Sequence, residues 1–141
     1  MRAFFDTNVL VYLYDNDAPE KQARARRLLT EAAEQGRMLL STQVLQEFFV
    51  CVTRKLAVPL PVDDAERAVR RLAAFPVVQV DAPMILAAIS ASRKNGFSFW
   101  DALIVQAAIQ GGATTLYTED LQHGQDVEGV KIVNPFLSQA Q

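Results

Sequence analysis

Met1-Arg2-Ala3-Phe4-Phe5-Asp6-Thr7-Asn8 carries a short apolar run straight into a polar turn. Arg2 to Phe5 has the aromatic content of a strand, and Asp-Thr-Asn supplies side chains that bond their own backbone in turns. A strand that ends in an acid places a carboxylate at its carboxyl end. In α/β proteins that end of a parallel sheet is where ligands bind. Glu47, Asp101 and Asp120 recur in comparable settings further on. Four acids gathered in one such crevice would surround a hard cation, which points towards metal-assisted phosphodiester chemistry.

Downstream of Asn8, short β-rich runs alternate with longer helical periods. Pro19 to about Gln35 sets Ala25, Leu28, Leu29 and Ala32 on one stripe and Arg24, Arg27, Glu31 and Glu34 away from it, with Gly36 as the stop. Met38 to Leu40 reads as a second strand. Ser41 or Thr42 caps the following helix, whose core stripe is Leu45, Phe48, Phe49, Val52 and Leu56. Glu47 falls off that stripe. Pro59 and Pro61 make the stretch from Ala57 to Val62 irregular. Asp63 with Glu66 forms a capping-box pattern for a helix to about Ala74, buried through Ala65, Val69, Leu72 and Ala73.

Val77 to Val80 reads as the third strand. Asp81-Ala82-Pro83 opens a helix that Asn95-Gly96 closes. From Ser98, the run Phe-Trp-Asp-Ala-Leu-Ile-Val-Gln-Ala-Ala-Ile is apolar on nearly all sides, which marks a central helix ending at Gly111-Gly112. Thr115 to Tyr117 and Lys131 to Val133 are the last strands, with Asp120 in the loop between them. This alternation predicts an α/β fold of three layers, a mostly parallel central sheet flanked by helices on both faces. No repeat or linker divides the chain, so residues 1–141 read as a single domain.

Composition bounds the function classes. Half the residues are apolar and 21% are charged, the profile of a compact protein rather than a disordered tail. The net charge of −2 includes the four candidate site acids, and a bound divalent ion would cancel two of their charges. Weak acidity therefore leaves a nucleic-acid substrate open. The lone Cys51 makes no intramolecular disulfide, and its neighbours Phe49, Val50 and Val52 predict a buried, inert thiol, which suits a reducing cytoplasm. Asp6, Asp15 and Asp17 interrupt the apolar start, so it does not read as a secretory signal. No apolar run approaches the roughly eighteen residues needed to span a bilayer, so no membrane association is expected.

Each acid also has an ordinary structural reading. Asp6 suits a turn or the cap of a short helix beginning near Val9. Glu47 suits a helix surface. Asp101 completes a capping-box pattern in Ser98-Phe99-Trp100-Asp101 and sits in a first turn, where the helix dipole favours an acid. Its neighbours Phe97, Phe99, Trp100, Leu103 and Ile104 are nevertheless apolar, and a carboxylate among them needs a partner or a metal. Asp120, in Thr118-Glu119-Asp120-Leu121, suits a plain turn. Lys21, Arg24 and Arg27 form one spaced basic face, and Arg67, Arg70 and Arg71 another; such faces are more often solvated helix surfaces than binding sites. Phe99 and Trp100 suit core or dimer contacts better than stacking on bases. His123, the one histidine, suits a loop residue making an ordinary hydrogen bond.

Taken together and in order, four segments resemble a known family. Phe-Phe-Asp-Thr-Asn-Val-Leu, Ser-Thr-Gln-Val-Leu-Gln-Glu-Phe, Phe-Ser-Phe-Trp-Asp-Ala-Leu-Ile and Leu-Tyr-Thr-Glu-Asp-Leu are similar to the successive motifs of PIN-domain ribonucleases, and within them of the VapC-type toxins of bacterial toxin–antitoxin pairs. The resemblance runs from Met1 to about Phe136. It implies that Asp6, Glu47, Asp101 and Asp120 are catalytic and bind one or two Mg²⁺ or Mn²⁺ ions, supported by Thr7, Asn8 and Thr118. It also implies an RNA substrate, a small antitoxin partner and a homodimer. The stretch Leu121-Gln122-His123-Gly124 departs from the family by lacking the aromatic that often follows the last acid.

The chemistry this implies is hydrolysis of an RNA phosphodiester, in which a divalent ion shields the negative oxygens and eases the generation of hydroxide from water. A housekeeping PIN ribonuclease in RNA maturation or decay shares that chemistry. A non-catalytic PIN-like module that binds RNA or protein would be expected to have lost one of the acids. A phospho-acceptor domain using Asp6 as nucleophile would usually carry a second acid two residues on, where this chain has Asn8.

Overall fold

The structure, a computed structural model, describes residues 1–137. Strand β1 (Arg2–Phe5) is followed by a short helix α1 (Thr7–Val11), a 3₁₀ turn (Tyr12–Tyr14) and helix α2 (Pro19–Glu34). Strand β2 (Met38–Ser41) leads into α3 (Thr42–Val50), which runs on as a π-helical turn (Cys51–Lys55). Helix α4 (Val62–Leu72), strand β3 (Val77–Val78), helix α5 (Ala82–Asn95) and helix α6 (Phe99–Gln110) precede β4 (Ala113–Tyr117), β5 (Asp126–Val127) and β6 (Val130–Val133).

The six strands lie in the order β3-β2-β1-β4-β6-β5. All neighbours are parallel except β5 and β6, which pair antiparallel. Ala3, Phe4, Phe5, Met38, Leu39 and Leu40 are all buried, so side chains on both faces of β1 and β2 are covered. Continuous burial of this kind is what helices on both sides of a parallel sheet produce. The expected α/β architecture is thus present.

Successive connections from β1 to β2 to β3 move one way across the sheet, and β4 then returns to the other side of β1. The reversal leaves a crevice outside the carboxyl ends of β1 and β4, the place where open parallel sheets bind ligands. Register fixes what meets there. Phe5 lies opposite Tyr117, so Asp6 and Thr118 leave the sheet side by side, and the Asp6 amide donates to the Tyr117 carbonyl at 3.0 Å.

Local chemistry explains the helix ends. Ser41, Asp81 and Ser98 cap α3, α5 and α6 by accepting from the amides of Val44, Met84 and Asp101. Gly96 closes α5 in the left-handed conformation at φ 74°. Gly111, at the end of α6, lies close against β2 and β3: a Cβ there would sit 2.4 Å from Leu39 Cδ2 and 2.8 Å from Val78 Cγ2, so a larger residue would force those side chains to shift. Helix α6 is buried from Ala102 to Ala108, as a central helix should be.

Several expectations differ in detail. Helix α4 starts at Val62, before Asp63, and Pro61 occupies the cap position without a side-chain bond, so the Asp63/Glu66 capping box is not formed. Glu66 instead accepts from Arg70 one turn on. Its buried residues are Ala65 and Ala68, while Ala73 is exposed. Strand β3 stops at Val78, and the antiparallel β5 was not expected. Among the described residues no helix is long and apolar enough to cross a membrane.

Candidate active site

All four predicted acids line one cavity of about 720 Å³ at the carboxyl end of the sheet. Asp6 arrives from β1, Glu47 from the middle of α3, Asp101 from the first turn of α6 and Asp120 from the loop after β4. Asp15, just after the 3₁₀ turn, is a fifth acid on the wall; nothing in its local sequence marked it. Lys55 is, among the described residues, the single basic side chain lining the cavity. Among the described residues, the ion pairs are Lys21–Glu119, Arg67–Asp64 and Arg70–Glu66, so none of the five acids has a cationic partner.

A continuous chain of hydrogen bonds joins the four segments. The Thr7 amide donates to Asp6 Oδ1 at 2.7 Å, and the Thr118 hydroxyl donates to Asp6 Oδ2 at 2.8 Å. Thr118 Oγ1 in turn accepts from the Asp120 amide at 3.1 Å. Asn8 Nδ2 donates to Asp120 Oδ2 at 2.9 Å. On the other side, the Thr7 hydroxyl donates to Glu47 Oε1 at 2.7 Å, and Gln43 Nε2 donates to Glu47 Oε2 at 3.1 Å. Gln43 Nε2 also reaches the carbonyl of Trp100, the residue before Asp101, at 3.3 Å. Thr7, Asn8 and Thr118 therefore touch the acids directly. Gln43 was missed by sequence reasoning; it lies one turn before Glu47 on α3, which is the spacing that could have found it.

Burial dominates the electrostatics. Asp6 is 4% exposed, and loss of water pushes its carboxyl up to about 7, against the opposing hydrogen bonds from Thr118 and Thr7 and with a smaller contribution from the charges of Asp120 and Glu47. Asp101 is shifted upward as well, again by burial first, with its Ser98 contact opposing and the Asp120 and Glu47 charges adding. Repulsion between acids is thus the lesser cause.

The carboxylates and the amides of Asn8 and Gln43 are oxygen donors, which suit a hard divalent cation in kind. Asn8 Oδ1 and Gln43 Oε1 are buried acceptors without a hydrogen-bond partner among the described residues. Each is forced there because the same amide's nitrogen is committed to a carboxylate. A site so rich in acceptors and negative charge fits a cation. It is not a closed cage: among the described residues, no three His, Cys, Asp or Glu side chains converge closely enough to hold an ion as they stand.

A sequence profile described as PIN domain matches residues 3–125. The chain belongs to the PIN-domain family. Among solved structures, this PIN domain is similar to a toxin–antitoxin complex from Klebsiella pneumoniae at TM-score 0.70 and 19% identity, over 95% of this chain and 98% of that one. It is also similar to VapC20 of Mycobacterium tuberculosis, a toxin that cleaves the sarcin–ricin loop, at TM-score 0.65 and 22% identity, over 84% and 89% of the two chains. A third likeness is to VapBC2 from Rickettsia felis bound to a DNA fragment from its promoter, at TM-score 0.64 and 18% identity, over 94% and 97%. At these identities the likeness is one of fold. A search of curated protein sequences found no match.

Other features of the PIN domain fall outside the acid cluster. His123 Nδ1 accepts from the Asn134 amide at 3.0 Å in an exposed loop, the ordinary role expected of it. Arg24 Nε donates to the Pro135 carbonyl at 3.0 Å, and Arg67 and Arg70 pair with acids on their own helix. Trp100 is neither core nor buried: it is 61% exposed at the cavity rim, packed edge-on against Phe99. Cys51 is half-buried on the cavity wall rather than enclosed, and its thiol is pushed up by desolvation.

Proposed function

We propose that this chain is a Mg²⁺- or Mn²⁺-dependent endoribonuclease, the toxin of a type II toxin–antitoxin pair. The observation that carries the reading is the meeting of Asp6, Glu47, Asp101 and Asp120, from four separate segments, in one cavity where, among the described residues, no cationic side chain is paired to any of them. One or two divalent ions held there would neutralise the phosphodiester and lower the acidity barrier of an attacking water. Asp6 is the fixed member, because Thr7 and Thr118 occupy both its oxygens. Glu47 is oriented by Thr7 and Gln43, and Asp120 by Asn8. Asp101 stands on the first turn of α6, where its amide donates to the capping Ser98 hydroxyl. Trp100 at the rim offers an exposed aromatic face to a base.

Support for RNA and for the toxin role comes from the likeness to a ribosomal-loop-cleaving toxin and to toxin–antitoxin complexes. On this reading the chain works in the cytoplasm as a homodimer. A small antitoxin would silence it by presenting a basic side chain to the acids. The test is incubation of the purified protein with a panel of structured RNAs, with Mg²⁺ or Mn²⁺ and with excess chelator. Cleavage that survives chelation rules out the metal, and no cleavage of any RNA rules out the nuclease.

A further inference from the structure

Asp120 is the most exposed of the four acids and stands in the loop between β4 and β5, where the sheet no longer holds the backbone. Consecutive residues of this loop are nonetheless tied, one by one, to the segment that follows β1. Thr118 bonds Asp6, and Asp120 bonds Asn8. Between them, Glu119 accepts the Tyr12 hydroxyl on Oε1 at 2.5 Å. Asn8 and Tyr12 are four residues apart and so share one face of the helical stretch they belong to.

Lys21, from α2, completes the arrangement. Its Nζ donates to Glu119 Oε2 at 2.9 Å and to the Tyr12 hydroxyl at 3.1 Å. The same ammonium lies 4.9 Å from the centre of the Tyr12 ring and 5.6 Å from that of Phe136, while the two rings meet edge to face at 4.9 Å. Both oxygens of Glu119 are therefore engaged by charge-assisted or short bonds, and the tyrosine is held by its ring as well as its hydroxyl. Tyr12 also lines the acid cavity.

We propose that Tyr12, Glu119 and Lys21 form a latch that holds the Asp120 segment against the helical stretch after β1, which makes Tyr12 and Glu119 positioning residues for the cavity. The metal consequence of the latch rests on the nuclease reading above. Groups that orient an ion's ligands typically change metal affinity 10- to 100-fold when removed, although they never touch the ion.

Tyr12→Phe removes the hydroxyl and keeps the ring on Phe136, and Glu119→Gln keeps the shape and removes the charge. Amide hydrogen exchange measured by NMR in chelator reads the latch without any metal. The Asp120 amide should exchange about 10-fold faster in both variants, with the Leu116 amide of β4 unchanged. Calorimetric Mn²⁺ titration should then show binding weakened about 10-fold. Unaltered exchange at Asp120, or an equal rise across β4, overturns the latch. Faster exchange at Asp120 with wild-type Mn²⁺ affinity overturns the positioning role. A wild-type protein that binds no Mn²⁺ removes the nuclease reading, and the latch still stands or falls on the exchange result.

Discussion

Thr118 donates its hydroxyl to Asp6 Oδ2 at 2.8 Å, and both residues are buried at the point where β1 and β4 leave the sheet. Thr118 Oγ1 also accepts from the Asp120 amide, so one hydroxyl couples two acids. Thr118→Val keeps the shape and strands a buried carboxylate oxygen. The variant should lose about 1–3 kcal/mol by urea denaturation, whereas Thr118→Ser should lose much less. A Thr118→Val variant as stable as the wild type, or a Thr118→Ser variant that loses more than Thr118→Val, would show that the hydroxyl bond to Asp6 is not what holds this junction.

Asp6 gives the metal-free protein a defined pH dependence. Its folded carboxyl titrates near 7 against 3.8 in the unfolded chain. Stability from this group is fully present below 3.8 and is lost as pH rises through about 7, because above that value folding must bury a charge. At about 1.4 kcal/mol for each tenfold change in acidity, the loss is about 4 kcal/mol. Asp6→Asn removes this titration. The stability of the wild type relative to that variant, measured in chelator, should therefore fall steadily between pH 4 and pH 8; a constant difference would contradict the buried charge.

Activity should depend on the acids unequally. Asp6→Asn, Glu47→Gln and Asp101→Asn keep the shape of each side chain but remove the charge that holds a hard cation. Each should reduce RNA cleavage by more than the roughly 10- to 100-fold that loss of a supporting residue causes. Asp120→Asn should be milder, since Asp120 is exposed and the loop around it is held independently by Thr118 and Tyr12. Single-turnover cleavage across the four variants decides this, and an Asp6 variant as active as the wild type would sink the mechanism.

Much of this was legible locally. The apolar run before Asp6, the caps at Ser41, Asp81 and Ser98 and the stop at Gly96 are determined by residues within a turn of one another, and the elements appear where that chemistry places them. What was illegible depends on distant partners. No local pattern links Tyr12 to Glu119, 107 residues away, or Gln43 to the Trp100 carbonyl, 57 residues away. The apolar neighbours of Cys51 suggest enclosure, but the helix passes into a π-helical turn at that residue, which is half-buried and lines the cavity. The Asp63/Glu66 box is not formed because α4 takes its cap at Pro61, two residues before Asp63, so that Asp63 and Glu66 both fall inside the helix.

Asp101 separates a shared cation site from a set of unrelated helix-end acids. The bond that caps α6 runs from the Asp101 amide to Ser98 Oγ, so Asp101→Asn keeps that amide bond and removes the charge. That charge has a favourable interaction with the helix dipole, about 0.3–1 kcal/mol. Against it stand desolvation first and then the nearby Asp120 and Glu47, which hold the carboxyl above its usual range despite the opposing Ser98 contact. A raised folded value means that ionisation costs stability once pH exceeds it, so neutralising Asp101 should stabilise the metal-free protein near neutral pH. Binding changes the balance: an ion at 100 times its dissociation constant adds about 2.7 kcal/mol to the wild type. The variant should forfeit most of that gain. Thermal melts of wild type and Asp101→Asn, each with chelator and with excess Mn²⁺, should show the variant melting higher without metal and lower with it. A variant that is destabilised in chelator yet keeps the full Mn²⁺ shift would identify Asp101 as a helix-end acid and remove it from the site.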